Sequence, residues 1–177
     1  LYGLPGTGKT EFVKFLAGKL GKRLLVKRCS DLESMYVGET EKNIAEAFRE
    51  AERSQRILFI DEADTFFTNR ESANRSWEIS RTNELLTQME NFRGIFICCT
   101  NLKSLLDDAA HRRFAFKIEF MPLKPEHRVM MYQKYFHFSK PMSFEEQGLV
   151  ANLDMLTPGD MRAVADSKRS GSGANSR

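Results

Sequence analysis

The sequence predicts an α/β fold: a parallel sheet flanked by helices, followed by a small all-helical lobe. Three observations predict it. The apolar runs "RILFID" and "GIFICCTN" have the length and make-up of strands buried on both faces. Segments with apolar residues at helical spacing alternate with them, as in parallel βαβ units. After "MPLKP" the pattern changes, and only helical segments follow.

Taken in order, "LYG" reads as the end of a strand whose beginning is absent, so the chain is expected to be a fragment. "EFVKFLAGKLG" places Phe12, Phe15, Leu16 and Leu20 on one helical face and stops at Gly21, an expected C-cap. "RLLVKRC" predicts a short strand. "EKNIAEAFREAER" carries Ile44, Ala47, Phe48 and Ala51 at helical spacing, with Thr40 as the expected N-cap. "RILFID" is a strand ending in acid. "SWEISRTNELLTQME" is a helix with Ile79, Leu85, Leu86 and Met89 inward. "FAFKIEF" alternates apolar and polar residues, which predicts a strand with one less buried face. "PEHRVMMYQKYFHF", "FEEQGLVANL" and "PGDMRAVADSKR" are helical. Residues 1–122 therefore form the α/β domain, and 123–169 a small helical lobe, expected to be incomplete. Residues 170–177, "SGSGANSR", form a flexible polar tail.

Composition excludes several classes. With 41% hydrophobic and 29% charged residues, the chain has enough apolar material for one good core. A net charge of +3, with Lys and Arg spread along the chain, argues against a nucleic-acid partner. No apolar run approaches the roughly 20 residues of a transmembrane helix. Cys29, Cys98 and Cys99 are odd in number and contain no CxxC, which suits a reducing cytoplasm and gives no zinc pattern.

The strongest motif is "GLPGTGKT", Gly3 to Thr10, which fits GxxxxGK[ST] between a strand end and a helix start. Glycines let backbone N–H groups turn toward phosphate oxygens, and the helix N-terminus adds partial positive charge. Lys9 reaches the β- and γ-phosphates, and the Thr10 hydroxyl is a Mg²⁺ ligand. The expected binding set for ATP is Pro5, Gly6, Thr7, Gly8, Lys9, Thr10 and Glu11. "ILFIDEAD" puts Asp61 and Glu62 at the C-terminal edge of a strand, where open parallel sheets bind ligands. Asp61 would hold Mg²⁺, and Glu62 would orient and deprotonate an attacking water. The fold class sharpens to a P-loop NTPase sheet followed by the helical lobe.

The loop "GLPGTGKT", the strand "ILFIDEAD", the strand end "ICCTN" and "LLDDAAHRRFAFKIEFMPL" stand in the order found in AAA+ ATPases. The chain resembles the central AAA group, which includes the unfolding rings of proteases and motors that disassemble membrane complexes. The resemblance implies that the helical lobe is a lid and that the chain is a Mg-dependent ATPase that assembles into a homo-oligomer, a hexameric ring. It implies that Asn101 is the polar sensor of the γ-phosphate or attacking water, and that Arg112 and Arg113 are arginine fingers. Those fingers would reach a neighbour's nucleotide. Gly159 and Met131 would pack near the adenine. Two residues depart from the family pattern: Ala115 stands where an Asp is usual, and His111 where an aliphatic residue is common.

"SMYVGETEKN" falls where the family has its pore-facing loop. By that resemblance Tyr36 grips an extended polypeptide, with Met35 and Val37 beside it and Gly38 giving the loop its freedom. From composition alone Tyr36 is expected to pack under the following helix as core, since exposed apolar clusters are unusual; the surrounding motifs reverse that expectation. Three functions follow. The first is a motor that remodels, unfolds or disassembles protein substrates by threading them through the pore. The second is an ATP-gated oligomeric scaffold or switch that threads nothing. The third, a nucleic-acid motor, is disfavoured by the weak net charge.

Overall fold

The computed structural model describes residues 1–67, 76–101, 112–136 and 141–171. The whole "LLDDAAH" run, His111 included, and residues 172–177 of the tail lie outside them. The described chain divides into two compact units. One comprises Leu1–Gly3 and Lys9–Glu119; the other comprises Leu4–Gly8 and Phe120–Arg177.

The first unit holds β1 (Tyr2–Gly3), α1 (Lys9–Lys19), β2 (Leu24–Arg28), α2 (Cys29–Leu32) and α3 (Glu39–Arg53). Then come β3 (Ile57–Asp61), a 3₁₀ turn (Ala63–Phe67), α4 (Ser76–Asn91), β4 (Phe96–Cys98) and the first residue of β5 (Glu119–Phe120), Glu119, which ends the unit. β3 is the centre of a parallel sheet ordered β2-β3-β4, in register from Leu24 opposite Ile57 to Arg28 opposite Asp61. A parallel bridge between Tyr2 and Thr100 joins β1 beside β4, and β5 pairs with β1. Parallel neighbours on both sides explain why Ile57, Leu58, Phe59 and Ile60 are all buried, as the unbroken apolar run predicts.

The two faces are sorted by side-chain alternation. Leu58, Ile60 and Cys98 face α3 and α4, packing with Ile44, Phe48, Leu85 and Leu86. Phe59 and Cys99 face the other way, against Val13 of α1. Adjacent cysteines thus serve opposite sides of the sheet.

Several predicted details are corrected. The buried stripe of α1 is Val13 and Ala17, whereas Phe15 is 59% and Leu20 48% exposed. The sheet accepts the smaller residues, one turn apart, because they let the helix lie close; Phe15 instead stacks under the Lys19 ammonium. Ile79 is likewise exposed, and Thr82 takes the inward position, donating its hydroxyl to Phe66 O at 2.7 Å. The N-cap of α3 is Gly38, at φ 82°, rather than Thr40. Thr40 is buried in the first turn, where its hydroxyl accepts Ser34 N–H at 3.0 Å. "FAFKIEF" yields only Glu119–Phe120 as strand; Phe116 is 83% exposed. Gly21 does close α1, at φ 62°. Its N–H bonds Gly18 O and Lys22 N–H bonds Ala17 O, the Schellman pattern.

The second unit holds α5 (Pro125–Phe136), α6 (Phe144–Ala151) and α7 (Pro158–Gly171). Ser143 and Glu146 form a reciprocal capping box at the start of α6. Arg128, 3% exposed, donates to Leu123 O at 2.9 Å and to Ala151 O, the last carbonyl of α6, so one buried cation ties two helix ends. Among the described residues no helix is long and apolar enough to cross a membrane.

Candidate active site

The parallel sheet ends β3 and β4 on the same edge, and that edge gathers the predicted polar residues of the first unit. Lys9 opens α1 with its side chain almost fully buried. Its ammonium donates to Gly3 O at 2.8 Å and to Asn101 Oδ1 at 2.9 Å. Burial pulls the Lys9 ammonium below the ordinary lysine value, opposed by the nearby carboxylates of Asp61 and Asp64. One residue on, the Thr10 hydroxyl donates to Asp61 Oδ2 at 2.9 Å. Lysine, threonine, aspartate and asparagine from α1, β3 and the end of β4 thus form one hydrogen-bonded group.

Glu62 differs from its neighbours. It is exposed, with φ 57°, in the left-handed region that side chains other than glycine seldom occupy. Its N–H donates to Asp61 Oδ1 at 3.1 Å. The turn lifts Glu62 off the strand axis and lets the next residue rejoin the sheet, with Ala63 N–H bonded to Cys99 O at 2.8 Å. Residues held in such backbone conformations cluster at functional sites. Burial pushes Cys98 up to about 11 and Cys99 to about 12, so both stay thiols beside the site.

In the second unit, the phosphate-loop residues pack against the start of α7. Gly6 and Gly8 have positive φ, 73° and 97°. Thr7 is buried and donates its hydroxyl to Leu4 O at 2.8 Å, while Pro5 is exposed. Gly159 N–H donates to Gly6 O at 2.9 Å, and a Cβ on Gly159 would stand 2.7 Å from Gly6 Cα. Thr157 and Asp160 cap α7 reciprocally, and both Thr157 donors hold the Asp160 carboxyl below the usual carboxylate range. The spacing "TPGD" is a capping-box signal that the sequence reading could have used. Met131 is partly buried on α5, on the same unit as Gly159. Gly159→Ala should destabilise the protein by about 1–3 kcal/mol through this overpacking, read as a lower thermal midpoint; an unchanged midpoint would show that the loop backs away freely.

The remaining predicted residues sit apart from this group. Glu11 is exposed and ion-paired with Lys14 at 2.7 Å. Arg112 is exposed; Arg113 Nε donates to Glu90 Oε1 at 2.5 Å. Met35, Tyr36 and Val37 are 94, 68 and 96% exposed, so Tyr36 is not core. Their loop is nonetheless held. Ser34 Oγ donates to Glu39 Oε2 at 2.6 Å and accepts Tyr36 N–H at 3.2 Å. Asp64, two residues beyond Glu62, also belongs to the edge: its Oδ1 accepts Asn101 N–H at 2.9 Å. The sequence reading assigned it nothing, although the quoted strand end contains it.

The family model for AAA, "ATPase family associated with various cellular activities", matches residues 1–122. The chain belongs to the AAA ATPase family. It is 33% identical over 164 residues to a putative 26S proteasome regulatory subunit homolog of Methanothermobacter marburgensis, covering 89% of this chain and 43% of that protein. It is 33% identical over 178 residues to 26S proteasome regulatory subunit 6A of Saccharomyces cerevisiae, covering 93% of this chain and 40% of that protein. An uncharacterized protein of Acidianus two-tailed virus is 36% identical over 141 residues, 71% of this chain and 27% of its own length. The chain therefore spans less than half the length of each of these relatives. The α/β fold read from the alternating pattern is that of this family.

Proposed function

We propose that this chain is the ATPase core of a ring-forming motor that remodels or unfolds proteins by drawing them through a central pore. The observation that carries the nucleotide reading is the joined pair of contacts at the sheet edge, Lys9 with Asn101 and Thr10 with Asp61. A hydroxyl and a carboxylate oxygen 2.9 Å apart are the hard donors that Mg²⁺ takes, so Thr10 and Asp61 fit the ion the family uses. When bound, ATP and Mg²⁺ supply the phosphoanhydride and the charge that holds its oxygens. Lys9 binds the β- and γ-phosphates. Asn101, whose Oδ1 is already taken by Lys9, presents its amide N–H₂ to the γ-phosphate or the water. Glu62 takes the proton from that water at its carboxylate. By the family resemblance Pro5 to Gly8 and Glu11 would contact the phosphates, and Gly159 and Met131 the base.

The exposed "MYV" cluster supports threading. Three apolar side chains held out into solvent by a bonded loop suit a protein partner. The proteasome regulatory subunits among its relatives are consistent with an oligomeric assembly. The rival is an ATP-gated scaffold or switch.

The test of the ring is ATPase rate per subunit against protein concentration, with Mg²⁺, beside the oligomeric mass. A rate that climbs as the mass climbs supports sites completed by a neighbour; a constant rate from a monomer overturns it. Tyr36→Ala separates motor from scaffold. The motor reading expects substrate unfolding to fall by about tenfold or more while ATP hydrolysis stays within about threefold, since Tyr36 lies outside the hydrolytic group. An unchanged unfolding rate leaves the scaffold.

A further inference from the structure

Asp64 lies on no strand and was not singled out by any motif, yet its side chain connects the β3 turn to the end of β4. One oxygen, Oδ1, accepts two donors from consecutive residues: the Thr100 hydroxyl and the Asn101 backbone N–H, the latter at 2.9 Å. Thr100 is 3% exposed, so this is an interior contact. Two further constraints meet there. Ala63, the residue before Asp64, donates its N–H to Cys99 O at 2.8 Å, extending the pairing between the two segments. The left-handed backbone at Glu62, φ 57°, is what swings Ala63 and Asp64 back toward β4. Chain bending at the proposed base and clamping of the Asn101 residue are thus one local structure.

We propose that Asp64 is a positioning residue for Asn101, fixing through its Oδ1 the backbone from which the Asn101 amide addresses the terminal phosphate. The inference rests on the nucleotide reading above. The geometry explains why an acid stands there. A carboxylate oxygen can accept two N–H or O–H donors at once, and charge-assisted bonds are short and directional. Among the described residues the Asn101 side chain is held by Lys9, which donates to its Oδ1 at 2.9 Å. Its direction therefore depends on where the main chain places Cα, and Asp64 sets that. A misplacement of about 1 Å in such a group costs on the order of a hundredfold.

The test uses the full chain and two readouts. The first is the ratio of affinities for ATPγS and ADP, which reports sensing of the third phosphate without turnover. The second is hydrogen exchange at the Asn101 amide. Asp64→Ala should reduce the affinity ratio as far as Asn101→Ala does, and the double variant should go no further, because two residues acting as one unit are non-additive. It should also expose the Asn101 amide to faster exchange. Asp64→Asn retains an acceptor oxygen and should restore most of both losses. If Asp64→Ala keeps the wild-type ratio, or adds to Asn101→Ala, Asp64 only supports the fold and the inference is wrong. If the wild-type chain binds neither nucleotide, the nucleotide reading itself fails and takes this one with it. A wild type that discriminates, beside an unchanged Asp64→Ala, sinks the inference alone.

Discussion

Glu62→Gln is expected to lower the ATP hydrolysis rate by about 10²–10⁴-fold, the range lost with a general base, while nucleotide affinity stays near wild type. Glutamine keeps the length and shape of the side chain and removes only its basicity. The structure separates the residue's two aspects. Its N–H contributes to the turn through Asp61 Oδ1, and the carboxylate is exposed at the sheet edge. Stability should therefore be unmoved by Glu62→Gln. Glu62→Gly is the informative partner. Glycine occupies positive φ without steric cost, so it should recover on the order of 1 kcal/mol of backbone strain while losing hydrolysis as fully as the glutamine variant. Parallel rate assays, nucleotide titrations and thermal unfolding check all three statements. If Glu62→Gln hydrolyses ATP at the wild-type rate, another group takes the proton and the assignment fails. If Glu62→Gly is strongly destabilised, the left-handed turn is not a strained position.

That Lys9, Thr10, Asp61 and Asn101 come together was legible in the sequence, because contiguous motifs and, for Asn101, the family resemblance put them at strand ends, and the structure joins them by hydrogen bonds. The sheet was legible for a related reason: β3 is a run of four apolar residues, and only burial on both faces calls for that. What was not legible depends on distances between segments far apart in the chain. The face of α1 was misjudged because residue size suggests Phe15 and Leu20, whereas the sheet's proximity selects Val13 and Ala17. Thr40 looks like a helix cap from its type, but it is needed further in, bonding Ser34 across the exposed loop before α3. Asp64 sits inside a quoted motif and still carries no signal, since its partners, Thr100 and Asn101, lie 36 and 37 positions away. Tyr36 was ambiguous by composition, and only its surroundings in space, a bonded loop with its apolar tips outward, decide the matter.

Arg112→Ala and Arg113→Ala are each expected to reduce hydrolysis by about 10³-fold, the lower end of what an arginine finger supplies in well-studied GTPases. Neither arginine is part of the hydrogen-bonded group around Lys9 and Asp61, and Arg113 is engaged elsewhere, donating from Nε to Glu90 Oε1 at 2.5 Å. The partner side chains are 32 and 54% exposed, so that pair is a surface contact worth about 0.2–1 kcal/mol and gives way easily to a stronger anion. Glu90→Ala should accordingly leave stability unchanged within that range. On the ring reading, a residue so placed contributes to hydrolysis by reaching the nucleotide of another subunit. That makes complementation the decisive experiment. Glu62→Gln subunits keep their arginines, and Arg113→Ala subunits keep Glu62. Mixed in equal parts, two inactive proteins should form some sites in which a working glutamate meets a working arginine from the neighbour. Random head-to-tail assembly makes about one site in four complete, so activity should return to about a quarter of wild type. Recovery requires exchange of subunits, which mass measurement on the mixture verifies. If exchange is shown and the mixture stays inactive, the arginine acts within its own chain or not at all, and the ring reading loses its strongest kinetic support.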